Sequence, residues 1–353
     1  MTVVLSIGDV ADVVRQVGPD ALMDELIERF DSRMGAFDTN AVTTMDRTGF
    51  DYDDPYLGLV EWMPTLVHGR RVGIKTVAYH PRNPGEHALP SVLATTTIHD
   101  THTGRLEALT EATLLTALRT GAASAIATDK LAPADASTLG VVGAGAQAVT
   151  QIHAISRIRP ITRLLVCDAD PEVAKSLPSR IGAVGISVSV EILDVDELHL
   201  MLREADIICT CTSVDPNAGP VLPHGEHKPA LHLNAVGADF PGKTELPAAT
   251  LKAALVCPDV ATQCLAEGEA QQLEADDLGP ELPTLVRNAR EYDGHRQQLT
   301  VFDSTGWAFE DLIVAELVLE HAARLGIGSY VDLVPEATDP YDPYALVTDP
   351  QHP

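Results

Sequence analysis

A glycine-rich turn with the spacing of a dinucleotide-binding loop begins at Gly143. The segment VVGAGAQA places Gly143, Gly145 and Ala148 in the pattern G-x-G-x-x-A, after a strand-like run and at the start of a helical one. The first glycine permits a tight turn, the second lets the backbone approach a pyrophosphate, and the small third residue keeps the helix close to the strand. Free N–H groups at the helix N-terminus favour phosphate. The spacing alone also fits an ordinary turn between a strand and a helix.

An acidic residue at the end of the next strand supports the dinucleotide interpretation. Asp168 follows the strand-like run TRLLVC, twenty residues after Ala148. A carboxylate at this place accepts hydrogen bonds from the ribose 2′- and 3′-hydroxyls and repels a 2′-phosphate. We therefore expect NAD rather than NADP as the cofactor. Asp168 is alternatively a turn residue or a helix N-cap, although Asp170, before Pro171, is the better cap.

Three cationic residues stand where small or apolar residues are expected. They are Arg47 in DRTGF, Lys75 in VGIKTVAY and Arg119 in LLTALRTGAAS. A charge inside a packed strand or helix is unfavourable unless it is paired, so each of the three either faces solvent or meets an anion. The acidic candidates are Glu61 in VEWMP and Asp239 in GADFPGK. Asp239 follows a strand at the carboxyl edge of the predicted sheet, where burial could raise its pKa and let it move protons, but it also fits a loop cap.

The sequence gives no support for metal or hydrolytic chemistry. The histidines lack a paired ligand spacing such as HxxxH with a third ligand, and His99, His102 and His153 are more simply turn or surface residues. We find no G-x-S-x-G elbow and no plausible Cys–His nucleophile. The five cysteines lie in apolar runs of a long chain, which indicates reduced core thiols. We therefore expect a site without a metal.

Length and charge limit the class of protein. The chain has 353 residues, which is enough for two domains. Its 51 acidic and 24 basic residues give a formal charge of −27. Such a charge repels nucleic acid and anionic membrane surfaces, so neither is an expected partner. The first residues, MTVVLSIGDVADVV, lack a basic leader, and no apolar stretch reaches about 18 residues, so we expect a cytoplasmic location.

The elements that must position these residues fall into two groups. The first third of the chain is predicted to form helices and then an antiparallel meander of short strands. The helical patterns cover 8–16 and 19–34, and the strand-like runs are 58–63, 71–79, 91–99 and 104–110. After a helix over 111–131, strands and helices alternate from about 137, which predicts a doubly wound parallel sheet covered by helices, the Rossmann arrangement. A last helix over 307–325 is expected to return the chain to the first domain.

The motifs, taken in order, resemble one known family. They are VEWMP, the strand lysine of IKTVAYHPRNP, LLTALRTGAASAIA, VVGAGAQAVTQ, LHLNAVGADFPGKTEL, EGEAQQL and VFDSTGWAFED. Together they cover nearly the whole chain, which is similar to the ornithine cyclodeaminase and mu-crystallin family. RTGF, TSVDPNAGPVLP, FDSTG and DPYAL resemble most its lysine cyclodeaminases. Ornithine enzymes typically carry VGGDCPGKTEL where this chain has VGADFPGKTEL, a small departure that bears on the pocket.

The resemblance implies an α/β fold of two domains. Residues 1–125 and 316–353 would form a substrate-binding and dimerisation domain that the C-terminal segment completes, and residues 126–315 would form the NAD-binding Rossmann domain. The expected partners are a small amino acid substrate and a second copy of the chain in a homodimer.

The resemblance also assigns roles by motif position. Arg47, Lys75 and Arg119 would hold the substrate carboxylate, and Met63 would line the substrate site. Asp239 would transfer protons, Lys75 would help to stabilise the developing charge, and Glu61 would help to place an amine. The residues near the cofactor would be Ser91, Arg119, Thr120, Gly143, Gly145, Ala146, Gln147, Asp168, Thr212, Ser213, Val236, Gly237, Lys243 and Ser304.

The implied reaction is the cyclodeamination of L-lysine to L-pipecolate and ammonia, in which NAD takes a hydride from Cα and returns it after ring closure. Ornithine, which would give L-proline, stays open, because one methylene is worth only about 1–3 kcal/mol of discrimination. A ketimine reductase or an amino acid dehydrogenase of the same family is a second alternative. A non-enzymatic, mu-crystallin-like binder is a third, against which the presence of Lys75, Arg119 and Asp239 argues.

Overall fold

The strands and helices follow the two groups predicted from the sequence. The computed structural model describes residues 1–333 and 339–348. The strands are, in chain order, β1 (Thr2–Leu5), β2 (Val42–Thr44), β3 (Thr48–Tyr52), β4 (Gly58–Val67), β5 (Arg71–Tyr79), β6 (Val92–Asp100), β7 (Leu106–Glu111), β8 (Thr138–Val142), β9 (Arg163–Cys167), β10 (Ser189–Ile192), β11 (Ile207–Thr210), β12 (His232–Ala235), β13 (Leu255–Pro258), β14 (Thr300–Asp303) and β15 (Ser329–Val331).

The helices connect and cover these strands. They are α1 (Ile7–Val17), α2 (Pro19–Gly35), α3 (Asn83–His87), α4 (Thr113–Leu131), α5 (Ala146–Ile158), α6 (Pro171–Gly182), α7 (Leu198–Glu204), α8 (Ala248–Ala253), α9 (Ala261–Glu267), α10 (Leu282–Arg287), α11 (Ala308–Leu325) and α12 (Ala345–Thr348). Short 3₁₀ helices lie at Val195–Glu197, Glu269–Gln272, Ala275–Asp277 and Ala289–Gln297. Over residues 1–333 and 339–348, no helix is long and apolar enough to cross a membrane.

The first sheet contains the predicted meander. Among the described residues its order is β15-β1-β7-β6-β5-β4-β2, with β3 also paired to β4, and β4 to β7 are consecutive antiparallel neighbours. Met63 on β4 lies opposite Lys75 on β5, which lies opposite Thr96 on β6. Because side chains alternate across a strand, Glu61 and Lys75 share the face of the sheet on which Met63 lies. The pairing therefore places three predicted site residues on one face.

The second sheet is parallel throughout, as predicted. Its order is β10-β9-β8-β11-β12-β14-β13. From β8 the chain moves outward to β9 and β10 and then returns to pair β11 on the other side of β8. Ligands of doubly wound sheets bind in the crevice at this reversal, beyond the carboxyl ends of the strands. The glycine-rich turn follows β8 and Thr212 follows β11, so both lie at this crevice. The Rossmann prediction is confirmed.

Helix α4 links the two sheets through close helix packing. It packs against α2, α5 and α11, and a side chain at Gly121 would place Cβ 2.6 Å from the carbonyl oxygen of Thr150 in α5. Asn234 on β12 donates from Nδ2 to Oγ1 of Thr128 on α4, at 2.9 Å. Gly121 therefore lets α4 approach α5 closely, which brings Arg119, two residues earlier, towards the glycine-rich turn at the start of α5.

Helix α11 carries the chain from the second sheet back to the first. It begins after β14 and packs against β4, β5 and β6, where a Cβ at Gly73 would lie 2.9 Å from the side chain of Leu312. The strand β15 then pairs with β1, with Thr2 opposite Val331. The sequence did not predict these two strands, because each is very short and its partners are distant in the chain.

The domain division at 125/126 and 315/316 stays a prediction. Both boundaries fall inside helices, the first within α4 and the second within α11. The C-terminal part of the predicted first domain includes 334–338 and 349–353, which lie outside the described residues. Within the described part, β15 joins the first sheet, which is the sheet that residues 1–125 build.

Candidate active site

The glycine-rich turn has the geometry that a dinucleotide requires. Gly143 has a φ of +88°, and a Cβ there would lie 2.8 Å from the carbonyl group of Cys211 after β11. Gly145 is the N-cap of α5, and the place of its Cβ has no protein atom within 4 Å. Ala148 is fully buried. The turn thus leaves open space beside Gly145 and directs the N-terminus of α5 towards it, which fits a pyrophosphate.

Asp168 and Arg180 hold the backbone of this turn. Asp168 accepts from the N–H of Ala144 at 2.6 Å and from the N–H of Asp170 at 2.8 Å. The Arg180 guanidinium, on α6, donates to the carbonyl oxygens of Ala144 at 2.6 Å and Gly145 at 3.1 Å. Asp170 caps α6, as predicted, by accepting from the N–H of Glu172. Asp168 is therefore a turn residue as well as a candidate for the ribose, and the two interpretations do not exclude each other.

The two most buried of the predicted cations are paired with acidic residues of α11. Lys75 and Arg119 are 2% and 5% exposed. Lys75 Nζ hydrogen-bonds to Asp311 at 2.9 Å, and Arg119 Nη1 donates to Glu310 Oε2 at 2.9 Å. Arg119 Nε also lies 3.2 Å from Asp311 Oδ1. We call these four residues the Lys75–Arg119 cluster.

Burial and the neighbouring charges shift the pKa values of the Lys75–Arg119 cluster. Burial lowers the pKa of Lys75 to about 8, against the attraction of Asp311. Burial also raises the pKa of Glu310 to about 7, although Arg119 opposes this. For Arg119 burial works to lower the pKa, but Asp311 and Glu310 more than offset it and the pKa is raised. The cluster thus holds two cations and their acidic partners in a dry place, where the attraction between an anion and Lys75 or Arg119 is strong.

Arg47 joins the two sheets at a second ion-pair site. Its Nε lies 2.7 Å from Glu267 Oε1, and its Nη1 lies 3.7 Å from Glu61 Oε2. It also donates to the carbonyl oxygens of Thr305 and Gly306, the latter at 3.2 Å. Burial raises the pKa of Glu267 to about 7, and burial also raises the pKa of Glu61. Two carboxyl groups with raised pKa therefore flank one guanidinium.

Asp239 lies after β12 and is paired with Lys243. The Lys243 ammonium lies 2.8 Å from Asp239 Oδ1 and 5.5 Å from the ring centroid of Tyr79. The Asp239 side chain is 42% exposed, whereas the Lys243 side chain is 6% exposed. Burial raises the pKa of Glu61, the charge of Arg47 opposes this shift, and the charge of Asp239 adds to it. Asp239 therefore faces the same space as Glu61.

The structure brings the residues predicted to bind substrate together. Lys75 and Arg119 share Asp311, Arg47 lies beside Glu61, and Met63 lies opposite Lys75. Gly306, which follows β14 of the second sheet, packs on Arg119, because a Cβ there would lie 2.1 Å from Nη1. The cations of the first sheet and α4 therefore face the carboxyl edge of the second sheet rather than bulk water.

Several other residues predicted near the cofactor lie at or after the carboxyl ends of β8, β11, β12 and β14, which border the crevice. Ala146 and Gln147 open α5, Thr120 on α4 bonds to the carbonyl oxygen of Thr116, and Ser304 donates to Asp259. Thr212 donates to the buried Glu245, and Gly237 must be glycine, because a Cβ would lie 2.4 Å from the Glu245 carboxylate. The remaining positions are Ser91, whose carbonyl oxygen accepts from His80, exposed Ser213 and buried Val236. Their roles stay predictions.

The sequence interpretation missed the acidic residues that complete the site. Glu310 and Asp311 stand in the apolar run WAFEDLIVAEL, and Glu267 ends α9. The rule that a charge inside a packed helix must be paired found Arg119 and would also have found Asp311. With 51 acidic residues against 24 basic ones, however, a single carboxylate stands out less in this sequence than a single cation does.

The cysteines do not take part in this arrangement as nucleophiles. Burial raises the pKa of Cys209 and Cys257 to about 12, and a buried thiol is a poor nucleophile. Within 1–333 and 339–348, no group of three or more His, Cys, Asp or Glu side chains could hold a metal ion.

Comparison with known proteins assigns the chain to a family. The sequence model of the ornithine cyclodeaminase/mu-crystallin family matches residues 8–325. The chain belongs to this family. Within it, the L-lysine cyclodeaminase of Streptomyces rapamycinicus is 39% identical over 348 residues, which cover 98% of this chain and 99% of that protein.

Solved structures of the cyclodeaminase family and its relatives have the same fold. A lysine cyclodeaminase, solved for its recognition of L-lysine, L-ornithine and L-2,4-diaminobutyric acid, is 46% identical with a TM-score of 0.93, covering 98% of this chain and 99% of that one. An archaeal alanine dehydrogenase dimer with bound NAD is 28% identical with a TM-score of 0.80, covering 94% and 99%.

The sharing of Asp311 between two cations generates a prediction about stability. We expect Asp311→Asn to lower the free energy of unfolding by about 3–5 kcal/mol, because it leaves buried cations without their common partner. Lys75→Met should lower it less, since Asp311 then keeps Arg119 and the new side chain is apolar and similar in length. Urea unfolding of both variants at pH 7 measures the difference. An equal or larger loss for Lys75→Met would contradict the pairing.

Proposed function

We propose that this chain is a lysine cyclodeaminase that converts L-lysine to L-pipecolate and ammonia with NAD as its cofactor. The observation that carries the proposal is the Lys75–Arg119 cluster, in which two buried cations and their acidic partners lie against the carboxyl edge of the second sheet. The similarity to the Streptomyces rapamycinicus enzyme over nearly the whole chain supports the choice of lysine.

The cations would bind the α-carboxylate of the substrate. Lys75 and Arg119 contact Asp311 and Glu310, and Arg47 contacts Glu267. A substrate carboxylate would share these cations with the internal acids or displace them. Since the pKa of Lys75 is about 8, the ammonium is mostly charged at pH 7. Fixing the carboxylate fixes Cα, and alignment of this kind is worth a large part of a reaction barrier.

The carboxyl groups beside Arg47 would handle the distal amine. An ammonium has no lone pair, so the ε-nitrogen must lose a proton before it can attack Cα. The pKa of Glu267 is about 7, raised chiefly by burial, and the pKa of Glu61 is also raised by burial. A carboxyl group whose pKa lies near the working pH both accepts and returns protons efficiently. Glu61 and Glu267 would therefore position the distal amine and take its proton.

Asp239 would move the proton at the α-nitrogen. Ring closure joins the ε-nitrogen to Cα and breaks the bond from Cα to the α-nitrogen, which must leave as ammonia. That departure needs a group that can deliver a proton at the edge of the site. Asp239 is partly exposed and bonded to Lys243, so it can exchange protons with solvent while it stays in place.

The chain has a fitting place for NAD. The space beside Gly145 and the N-terminus of α5 suit the pyrophosphate, and Asp168 suits the ribose. When bound, NAD+ would accept a hydride from Cα and return it later, so that the oxidised cofactor is restored by the end of the reaction. Thr212 and Ser304, after β11 and β14, stand at the edge where the nicotinamide half would lie.

L-ornithine is the second candidate substrate. The solved lysine cyclodeaminase that resembles this chain recognises L-ornithine as well as L-lysine. The two substrates differ by one methylene. The same cations would therefore bind the α-carboxylate of both, and Glu61 and Glu267 would position the distal amine of both. A net dehydrogenase remains a further outcome of the test, because the chain is also similar to an alanine dehydrogenase.

Product analysis tests the proposed reaction. The purified protein is incubated with L-lysine or L-ornithine and NAD+ far below the substrate concentration, and pipecolate, proline and ammonia are measured by mass spectrometry and ammonia assay. We expect pipecolate and ammonia in equal amounts, with kcat/KM for lysine exceeding that for ornithine by about 10- to 200-fold. No pipecolate from lysine would refute the assignment, and NADH accumulating in step with product would indicate a dehydrogenase.

The role of Asp239 predicts a selective loss of turnover. Asp239→Asn should lower kcat by about 10²- to 10⁴-fold, because the amide cannot exchange the proton. Its affinity for NAD+, measured by calorimetry, should stay within about twofold. Asp215→Asn, which changes an exposed acid beyond the neighbouring strand β11, serves as the matched control and should keep normal turnover. An active Asp239→Asn enzyme would remove this residue from the mechanism.

We also propose that two copies of the chain associate through the outer face of the first sheet. Trp62, Leu66, Val72 and Ile74 alternate with the residues that face α11 and are only half-buried in the single chain. Phe50 on β3 packs against Trp62 and is 70% exposed. Apolar side chains grouped on one exposed face of a sheet often meet a partner. The relative with bound NAD is a dimer.

Sedimentation analysis tests this association. The wild-type protein should have twice the chain mass of 37.6 kDa, and Ile74→Glu should shift it to the mass of one chain. A matched exposed change away from this face, Ile192→Glu, should leave the mass unchanged. A monomeric wild-type protein would refute the dimer.

We further propose a cytoplasmic location, which the five unpaired cysteines support. We also propose the two-domain division given above.

A further inference from the structure

The turn that carries Asp239 and Lys243 is held by side chains of a distant segment. Phe240, Pro241, Gly242 and Lys243 form a β-turn in which the N–H of Lys243 donates to the carbonyl oxygen of Phe240 at 3.0 Å. Gly242 has a φ of +82°, as the third residue of a type II turn requires after proline. Such a turn leaves the N–H of its third residue and the carbonyl of its fourth without partners inside the turn.

Gln271 binds both of these backbone groups. Its Oε1 accepts from the N–H of Gly242 at 2.7 Å, and its Nε2 donates to the carbonyl oxygen of Lys243 at 2.9 Å. Nε2 also donates to the carbonyl oxygen of Gly268 at 2.8 Å, which fixes the amide to its own segment. A side-chain amide offers a donor and an acceptor in one plane, whereas a carboxylate offers acceptors alone. The contact therefore depends on glutamine chemistry and not on size alone.

The segment Glu269–Gln272 is itself anchored to the second sheet. Asp303, the last residue of β14, accepts from the N–H of Glu269 at 3.0 Å and from the N–H of Ala270 at 2.8 Å. Glu269 in turn accepts from the N–H groups of Glu245 and Leu246. This segment therefore connects the turn at Phe240–Lys243 to the second sheet. Gln271 is the residue of the segment whose side chain contacts the turn directly.

The position of Asp239 depends on this turn because burial does not fix it. Its side chain is 42% exposed, and its ion pair is with Lys243, the residue whose carbonyl Gln271 binds. Lys243 is packed over Tyr79 of the first sheet, so a rotation of the turn would move the ammonium and the carboxylate together. A displacement of about 1 Å at a reacting group can lower a rate by about 100-fold.

We propose that Gln271 is a positioning residue for the reaction, which fixes the turn that places Asp239 and Lys243 at the site. The inference rests on the proposed function for its kinetic consequence, and on the contacts alone for its structural one. Among the described residues, the side-chain hydrogen bonds of Gln271 go to Gly242, Lys243 and Gly268, and none goes to the Lys75–Arg119 cluster or the glycine-rich turn. The loss of Gln271 should therefore change turnover and not binding.

Two variants and a matched control test the proposal. Gln271→Met keeps the volume and removes all three hydrogen bonds, while Gln271→Glu keeps the acceptor for Gly242 and loses the donor to Lys243. Gln272→Met is the control, because Gln272 also donates two hydrogen bonds, to Leu246 and Glu269, but does not reach the turn. The measurements are kcat and KM for lysine, the NAD+ dissociation constant, the thermal midpoint, and crystal structures of wild type and Gln271→Met.

We expect both Gln271 variants to lower kcat by about 10- to 100-fold relative to wild type. Their KM and NAD+ dissociation constant should stay within about threefold of the wild-type values. The kcat of the control variant Gln272→Met should stay within about twofold of wild type. Equal kcat in Gln271→Met and wild type would overturn the proposal, and so would an equal loss in the control. If wild type does not act on lysine, the proposed function fails, but the crystal structures still decide. If the Asp239 carboxylate and the Lys243 ammonium keep their positions relative to Tyr79 and the second sheet in Gln271→Met, the positioning role is overturned.

Discussion

Two cations withdrawn from water fix the arrangement of this site. Lys75 lies in the middle of β5 and Arg119 in α4, and neither could be buried without an anion beside it. Both anions, Glu310 and Asp311, are adjacent residues in the first turn of α11, where the helix dipole also favours negative charge. Because only the short segment 304–307 separates α11 from β14, these ion pairs bind the first sheet, α4 and the second sheet at one point. A small shift of α11 would expose or unpair a buried charge, so the helix has one acceptable position.

Where the parallel strands end, other buried carboxylates accept hydrogen bonds from backbone N–H groups in place of a neighbouring strand. Glu245 accepts from the N–H groups of Thr212 and Gly237 and from the hydroxyl of Thr210, so it joins the ends of β11 and β12. Asp303 does the same for the segment that follows Gly268. Burial raises the pKa of Glu245, and it raises the pKa of Asp303 to about 7, while the bonded N–H groups oppose the shift. A carboxylate that accepts N–H groups from two loops, as Glu245 does, holds both loops with one side chain, which keeps the crevice rigid.

The sequence predicted the structural features that short local patterns determine. The alternation of strands and helices after residue 137, the turn at Gly143 and the meander from β4 to β7 follow from short-range periodicity and glycine spacing, and the structure has them. The cations Lys75 and Arg119 could be identified because a charge in a packed element is conspicuous. The short strands β1 and β15 could not, since four and three residues carry little pattern and their pairing joins the two ends of the chain.

The pairing of Asp168 with the glycine-rich turn was also beyond sequence reasoning, for a different reason. The spacing places a carboxylate at the end of β9, but it does not say which hydrogen bonds that carboxylate already makes. In the structure one oxygen holds Ala144 and the other holds Asp170, and Arg180 holds the carbonyl of the same Ala144. A ribose would have to use the remaining lone pairs of a carboxylate that is already oriented. That orientation would favour binding, because the carboxylate would not have to be ordered when the ligand arrives.

The large negative charge of the chain does not by itself select a cationic amino acid. At physiological salt the Debye length is about 8 Å, so most of the 51 acidic residues are screened from the site. What a bound ligand meets is the local arrangement, with the Lys75–Arg119 cluster at one side and Glu61 and Glu267 beside Arg47 at the other. An α-amino acid with a second amine has the complementary charges at its two ends. The number of methylenes between them is then a matter of shape, which aliphatic side chains such as Met63, opposite Lys75, would discriminate by small increments of free energy.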